Sequence, residues 1–192
     1  MYKECKTERS LQRRIKIEEC LIAQMHTKDY DQIHISDICR EVGISRAVFY
    51  RYFETKFDVL DAWMDRRFSA YNSSPVVETT PKNGTHNFIR FWYENRDMPE
   101  LLIRQNMFDL LIQKGIQAGT HMPLINQILG MEDSSAEIHR SLVFSAYGIM
   151  GILRDWQVRG FKESEEEMVE VINGMLLKPL YLPENLQNNM SC

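Results

Sequence analysis

The stretch Ile35-Ser-Asp-Ile-Cys-Arg-Glu-Val-Gly-Ile-Ser-Arg-Ala-Val-Phe-Tyr-Arg-Tyr-Phe53 carries two short apolar stripes divided by one glycine. Ile38 and Val42 share a helix face at i, i+4. Gly43 permits the positive φ that a tight turn between helices often needs. Ile44 plugs that turn, and Ser45 is a good N-cap for a second helix. Phe49 and Phe53 form the buried stripe of the second helix. Two short helices crossing through a glycine-containing turn make a helix-turn-helix. The second helix of that motif normally enters a DNA major groove, with its N-terminal residues at base edges.

The residues outside those stripes suit such a role. Arg46 and Arg51 are placed to reach base edges or phosphates, because arginine can donate two parallel bonds to guanine O6 and N7. Ala47 is short enough for close backbone approach, and Val48 is an apolar side chain fit to rest on a thymine methyl. Tyr50 and Tyr52 offer hydroxyls to phosphates. Lys56 opens the next helix, where free N–H groups and the helix dipole favour an anion. The same pattern also fits a plain helical hairpin with a solvated basic face.

Outward from this stretch, apolar residues recur mostly at helical spacing. Glycine (9) and proline (6) are scarce, and strand-like alternation is hard to find, so the chain reads as all-α. Helices are predicted over Ser10–Thr27, with Ile17, Leu21 and Met25 on one stripe, then Ser36–Val42 and Arg46–Phe53. Thr55 caps a longer helix to about Tyr71, with Asp58 as its capping-box partner. The polar, proline-bearing run Asn72–Gly84 reads as a linker. It separates an N-terminal domain over residues 10–70 from a helical domain over 75–185. Helical signals resume at Thr85–Arg96, and Asp97 with Pro99 starts a helix ending near Gly115 or Gly119. A short helix is expected over Pro123–Leu129. Ser135 opens a long one to about Arg159, which Gly160 stops. Ser164 and Glu167 form a capping box ahead of a last helix to about Leu177, and the tail from Asn185 is polar and frayed.

Composition excludes several classes. A chain of 192 residues with 44% apolar content can bury a real core. No apolar run approaches the roughly 20 residues of a membrane helix, and the charged N-terminus lacks the apolar region of a secretory signal, so a cytoplasmic protein is expected. The cysteines at 5, 20, 39 and 192 have no CxxC spacing, and the five histidines form no HxxH or HExxH pattern. There is no glycine-rich phosphate loop and no GxSxG. No enzyme, cofactor, metal or membrane partner is therefore expected. Net charge is −4, yet residues 1–16 hold six positive and two negative side chains, whereas residues 61–192 hold twelve and seventeen. The N-terminal third is the plausible polyanion face. Its basic arm reads either as a solubilising tail or as a strip along phosphates or an adjacent minor groove.

From about Ile17 to Leu60 the chain resembles the DNA-binding domain of TetR/AcrR-type bacterial transcriptional regulators. Tyr30, Ile35, Asp37, Ile38, Val42, Phe49 and Leu60 take part in the match. The spacing of Gly43-Ile44-Ser45, Tyr50, Phe53 and Lys56 is its specific part. The resemblance implies a homodimer with an all-helical C-terminal domain for ligand binding and dimerisation, and a double-stranded DNA operator as partner. Carried over by position, Ser45, Arg46, Ala47, Val48, Arg51 and Tyr52 lie on the groove side, and Tyr50, Tyr52 and Lys56 hold phosphates. Asp29 stands where glycine is usual, and Ala47 where glycine is frequent. His34 stands in place of a threonine cap, which leaves Ser36 as the alternative cap. Leu21 and Val42 exceed the usual alanines and imply local repacking.

The C-terminal two thirds is rich in large or flexible apolar side chains, with 11 methionines in the whole chain. Most read as ordinary helix core. Phe88, Trp92, Asn95, Met107, Phe144 and Tyr147 are the residues expected to line a site for a small-molecule effector that the resemblance implies. Ser141, Ser145, Ala146, Gly148 and Gly151 permit close helix approach. With Met168, Val171, Ile172, Met175 and Leu176 they suit a two-fold interface. The expected function is a DNA-binding, ligand-responsive repressor acting as a dimer on a near-palindrome. Rival readings are a redox-responsive regulator acting through Cys20 and Cys39, and a helical protein that does not bind DNA.

Overall fold

In the computed structural model, which describes residues 7–72, 81–119 and 136–177, every regular element among the described residues is helical. The chain divides into two compact units, Met1–Pro75 and Val76–Cys192. The first holds α1 (Glu8–Met25), a 3-10 turn (Tyr30–Gln32), α2 (Ile35–Val42), α3 (Arg46–Phe49) and α4 (Lys56–Asn72). The second holds α5 (Pro81–Glu94), α6 (Asp97–Arg104), α7 (Asp109–Gly119), α8 (Ala136–Val158) and α9 (Glu165–Leu177).

In the first unit, α1 begins two residues before the expected Ser10. The Thr7 hydroxyl caps it, accepting from the Ser10 N–H at 3.2 Å. Ile17, Leu21 and Met25 are fully buried, and α1 packs on α2 and α4, which brings in Val59, Leu60, Trp63 and Met64. Helix α2 starts at Ile35. His34 occupies its N-cap position without a side-chain bond, so Ser36 lies inside the helix and does not cap it. Gly43 sits at φ 72° and ψ 40°, and the Ile44 N–H donates to the Cys39 carbonyl at 2.9 Å, closing the turn. Helix α3 is shorter than the predicted Arg46–Phe53. Past Phe49 the chain tightens, with the Tyr52 N–H donating three residues back to the Phe49 carbonyl at 2.9 Å. Phe49 and Phe53 are buried with ring centroids 5.9 Å apart, contributing about 1.5–3 kcal/mol each by area. At the start of α4 the Thr55 hydroxyl accepts from the Asp58 N–H at 3.1 Å, and the Asp58 carboxylate accepts from the Thr55 N–H at 2.8 Å.

In the second unit, the segment expected as a linker is shorter than Asn72–Gly84. Asn72 ends α4 and residues 81–84 already belong to α5. Pro81 starts that helix without penalty, because the first helical N–H has no partner in any case. The helix expected to run from Asp97 to Gly115 or Gly119 is broken in two. Asn106 adopts φ 55°, the Met107 N–H donates to the Leu102 carbonyl at 2.8 Å, and the Asn106 N–H to that of Ile103 at 3.1 Å. This is a Schellman stop built on asparagine. Gly160, at φ 77°, ends α8 in the same way, with the Phe161 N–H on the Trp156 carbonyl at 2.9 Å. Ser164 and Glu167 form the expected reciprocal capping box, at 2.8 and 3.2 Å. Helix α7 packs on α8, and α9 packs on α5, where the Thr85 hydroxyl donates to Asn173 Oδ1 at 2.8 Å. The short helix expected over Pro123–Leu129, Ser135, the basic residues Lys3 and Lys6, and the C-terminal tail lie outside the described residues.

No heavy atom lies within 4 Å of a Cβ built on Gly43, so a side chain there meets only its own left-handed strain. Gly43→Ala is expected to cost about 1–2 kcal/mol. In urea unfolding this lowers the midpoint at an unchanged slope.

Candidate nucleic-acid interface

Helix α3 is barely more than a turn, so its ends decide how it is held. At its start the Val48 N–H donates to Ser45 Oγ at 3.3 Å. Beneath it, Phe49 has no exposed surface and meets the Tyr50 ring edge-on at 5.6 Å. With Phe49 turned inward, Arg46, Ala47, Tyr50 and Arg51 emerge together at i, i+1, i+4, i+5, all exposed, Tyr50 at 47%. Ser45 is also exposed, whereas Val48 and Tyr52 are half-buried. Arg46 and Arg51 form no ion pair among the described residues. Arg40, by contrast, is held by Asp37 at 2.6 Å. Tyr52 turns toward the beginning of α1, where Ser10 Oγ donates to its hydroxyl at a long 3.5 Å.

Lys56 has partners within the protein. Its ammonium donates to the carbonyls of Tyr30 at 2.5 Å and Ile33 at 3.1 Å, and stands 4.1 Å from the Tyr30 ring centroid. Two of its donors are thus directed at protein acceptors. Burial lowers its pKa, against an opposing pull from the Asp31 carboxylate. The neighbouring N–H groups of Glu54 and Thr55 are taken by Asp58.

A second polar feature of this unit is not evident in the sequence. Glu18, with 0% exposure, lies between Arg14 of α1, 3.1 Å from Oε1, and Arg66 of α4, whose Nε donates to Oε2 at 2.8 Å. The Arg14–Glu18 spacing of i, i+4 is a readable signal. Arg66 joins only through the packing of α1 on α4.

The residues expected to line an effector site differ in their surroundings. Trp92 is 2% exposed, packed edge-on against Phe108 at 6.2 Å, and its indole N–H has no acceptor. Phe88 and Met107 are half-buried, and Asn95 Nδ2 donates to the Phe91 carbonyl at 2.9 Å. Phe144 and Tyr147 are on the outside, Phe144 at 65% exposure, with the Tyr147 hydroxyl donating to Asp109 at 2.8 Å. They line an open concavity of ≈ 610 Å³ with Arg140, Val143 and Gly148. These described lining residues all belong to α8. On α9, Met168 and Ile172 are buried, whereas Val171 and Met175 are exposed. No group of acidic, cysteine or histidine side chains suited to a metal occurs among the described residues. No helix among them is long and apolar enough to cross a membrane.

The family model described as "Bacterial regulatory proteins, tetR family" matches residues 22–63. The TetR-type model described as "Transcriptional regulator C-terminal region" matches residues 79–178, just over half of the chain. The chain belongs to the TetR family of bacterial regulatory proteins. It is a TetR-family transcriptional regulator with a helix-turn-helix DNA-binding domain. No curated protein matches it significantly. A solved structure titled "Dihydroxyacetone kinase operon activator DhaS" matches 87% of this chain and 95% of its own, with a TM-score of 0.57 at 20% identity. That likeness shows a shared fold.

The two cysteines of the TetR-type DNA-binding domain are buried and reduced. Burial, reinforced by Glu41, pushes the Cys20 thiol up to about 12, and burial also raises that of Cys39 against the pull of Arg46. At pH 8 a thiol of that pKa is ionised to only about one part in ten thousand, which argues against redox sensing. Folded protein is expected to leave Cys20 and Cys39 unlabelled by Ellman's reagent at that pH and to expose both in denaturant. Rapid labelling of Cys20 or Cys39 in the native protein, with loss of DNA affinity after mild peroxide, would restore the redox reading.

Proposed function

We propose that this regulator binds a near-palindromic DNA operator as a homodimer and leaves it when a small-molecule effector occupies the C-terminal unit. The observation that carries the reading is the outward face of α3, where Arg46, Ala47, Tyr50 and Arg51 are exposed together over a buried Phe49. Arg46 and Arg51 then reach base edges or phosphates, and Ala47 lets the backbone come close. Tyr50 donates to a phosphate. Ser45, Val48 and Tyr52 border the contact, Val48 being apolar and set for a thymine methyl.

Dimerisation is supported by apolar surface left exposed among the described residues. Phe144 and Tyr147 on α8, and Val171 and Met175 on α9, are exposed large apolar side chains. Gly148 and Gly151 have open space beyond their Cα atoms, as close helix approach requires. Phe144 and Tyr147 therefore serve a partner helix better than an effector. Phe88, Trp92, Asn95 and Met107 remain the proposed effector contacts, and the unpaired Trp92 N–H there favours a ligand with a hydrogen-bond acceptor.

A two-fold dimer sets its recognition helices near one DNA turn apart, roughly 34–36 Å, and so reads a palindrome. An effector acts by favouring a conformer with a different spacing. By linkage, DNA weakens effector binding by the same factor. Release of a blocking dimer makes the effect repression, in the cytoplasm where the chromosome lies. The fold itself carries no sign, since the similar DhaS is titled an activator.

Selection of bound duplexes from genomic fragments tests this. Wild type is expected to recover a palindromic motif that an Arg46→Ala/Tyr50→Ala variant does not. Equal recovery by both would remove α3 from the interface. Gly148→Trp is expected to sediment as a folded monomer, because a Cβ there has no heavy atom within 4 Å, and to lose operator binding at least 100-fold (about 3 kcal/mol). A Gly148→Trp protein that remains dimeric would move the interface elsewhere.

A further inference from the structure

Lys56 is the first residue of α4, just past the turn that follows α3, yet its side chain reaches back to the chain ahead of α2. The two carbonyls it meets belong to Tyr30 and Ile33, at the 3-10 turn and its C-terminal flank. That turn is closed by the Gln32 N–H on the Asp29 carbonyl and the Ile33 N–H on that of Tyr30. A cation is favoured at such a carbonyl-rich end. The Tyr30 ring adds a π face 4.1 Å from the charge. The ammonium has three N–H donors, and two are used on carbonyls.

The join closes a loop of chain. Ile33 stands two residues before α2 and Lys56 three residues after Phe53, so the bond spans the whole helix-turn-helix. Ile33 and Phe53 are both buried, so the joined ends rest on the domain core. The start of α4 is independently held by Asp58 on the Glu54 and Thr55 N–H groups, so removing the lysine leaves that helix capped.

We propose that Lys56 is a positioning residue that clasps the entry of the helix-turn-helix to its exit, holding α3 at the bearing that base contacts require. This rests on the operator-binding reading above. A clasp and a phosphate contact differ in what they do to binding. A phosphate contact strengthens binding to every sequence and adds to the salt dependence. A clasp affects only contacts that need register, which are those that discriminate among sequences.

The test uses full-length protein and two duplexes: the tightest fragment that wild type selects, and a scrambled version of it. Binding is measured across a salt series for wild type, Lys56→Met and Tyr30→Leu, with circular dichroism confirming that each is folded in the cold. The expected result is a roughly tenfold or larger fall in the ratio of specific to scrambled affinity in Lys56→Met, and a smaller fall in Tyr30→Leu, which keeps both backbone carbonyls and loses only the ring. The salt slope on scrambled DNA should stay unchanged. The double variant should lose little more than Lys56→Met, because the ring acts only through the lysine. A uniform loss on both duplexes, with the slope reduced by about 0.9 for each phosphate no longer neutralised, would make Lys56 a phosphate ligand and overturn the inference. Unchanged specificity with reduced stability, or failure of both variants to fold, would confine the lysine to the fold and overturn it equally. If wild type itself selects no fragment, the operator reading fails first and the inference falls with it.

Discussion

The burial of Phe49 is the constraint on which the candidate interface depends. Helix α3 is too short to be steered by its own backbone, and nothing in its hydrogen bonds prefers one rotation over another. A ring with no exposed surface, stacked near a buried Phe53, fixes that rotation. At 100° per residue, positions 46, 47, 50 and 51 must then face out together. Gly43 sets where the helix begins, since its left-handed turn redirects the chain just before Ser45 caps α3. The chemistry of the outward face and its geometry thus have separate origins, one in Arg46, Tyr50 and Arg51, the other in two phenylalanines and a glycine.

Most of this unit is readable from the sequence because its signals are local. Gly43, the Ser45 and Thr55 caps, and the apolar stripes of α1 and α3 each act within a few residues, so spacing reports them. What escapes is tertiary. Lys56 occupies a position whose sequence context indicates an exposed cation at a helix start, and its partners are carbonyls more than twenty residues earlier. Arg66 meets Glu18 across 48 residues, a distance over which periodicity carries no information. Thr7 and Ser10 are equally good caps by residue type, and only the bond from the Ser10 N–H to the Thr7 hydroxyl distinguishes them.

The C-terminal unit is harder for a different reason. Its helix type and its caps at Gly160 and Ser164 are evident, but an apolar residue on a helix does not reveal which side is covered. Trp92 and Phe144 look alike in sequence, and one is core while the other is surface. Met168 and Val171 sit on the same helix and divide in the same way. The break at Asn106 shows a related ambiguity, because asparagine in a helical pattern is only a weak stop until its φ is known. Pro81 marks a linker by composition yet begins a helix, the one place in a helix where proline carries no cost.

The Arg14–Glu18–Arg66 cluster has a consequence for how the domain responds to its surroundings. Ions in solution weaken attractions between exposed charges and a nucleic acid, but they scarcely reach a carboxylate with no exposed surface. The same ionic strength therefore acts on two sets of charges very unequally. On the outer face of α3 it competes directly with Arg46 and Arg51. Between α1 and α4 it leaves the carboxylate and its guanidinium partners largely undisturbed. Salt can thus screen the outer face of α3 without slackening the frame beneath it.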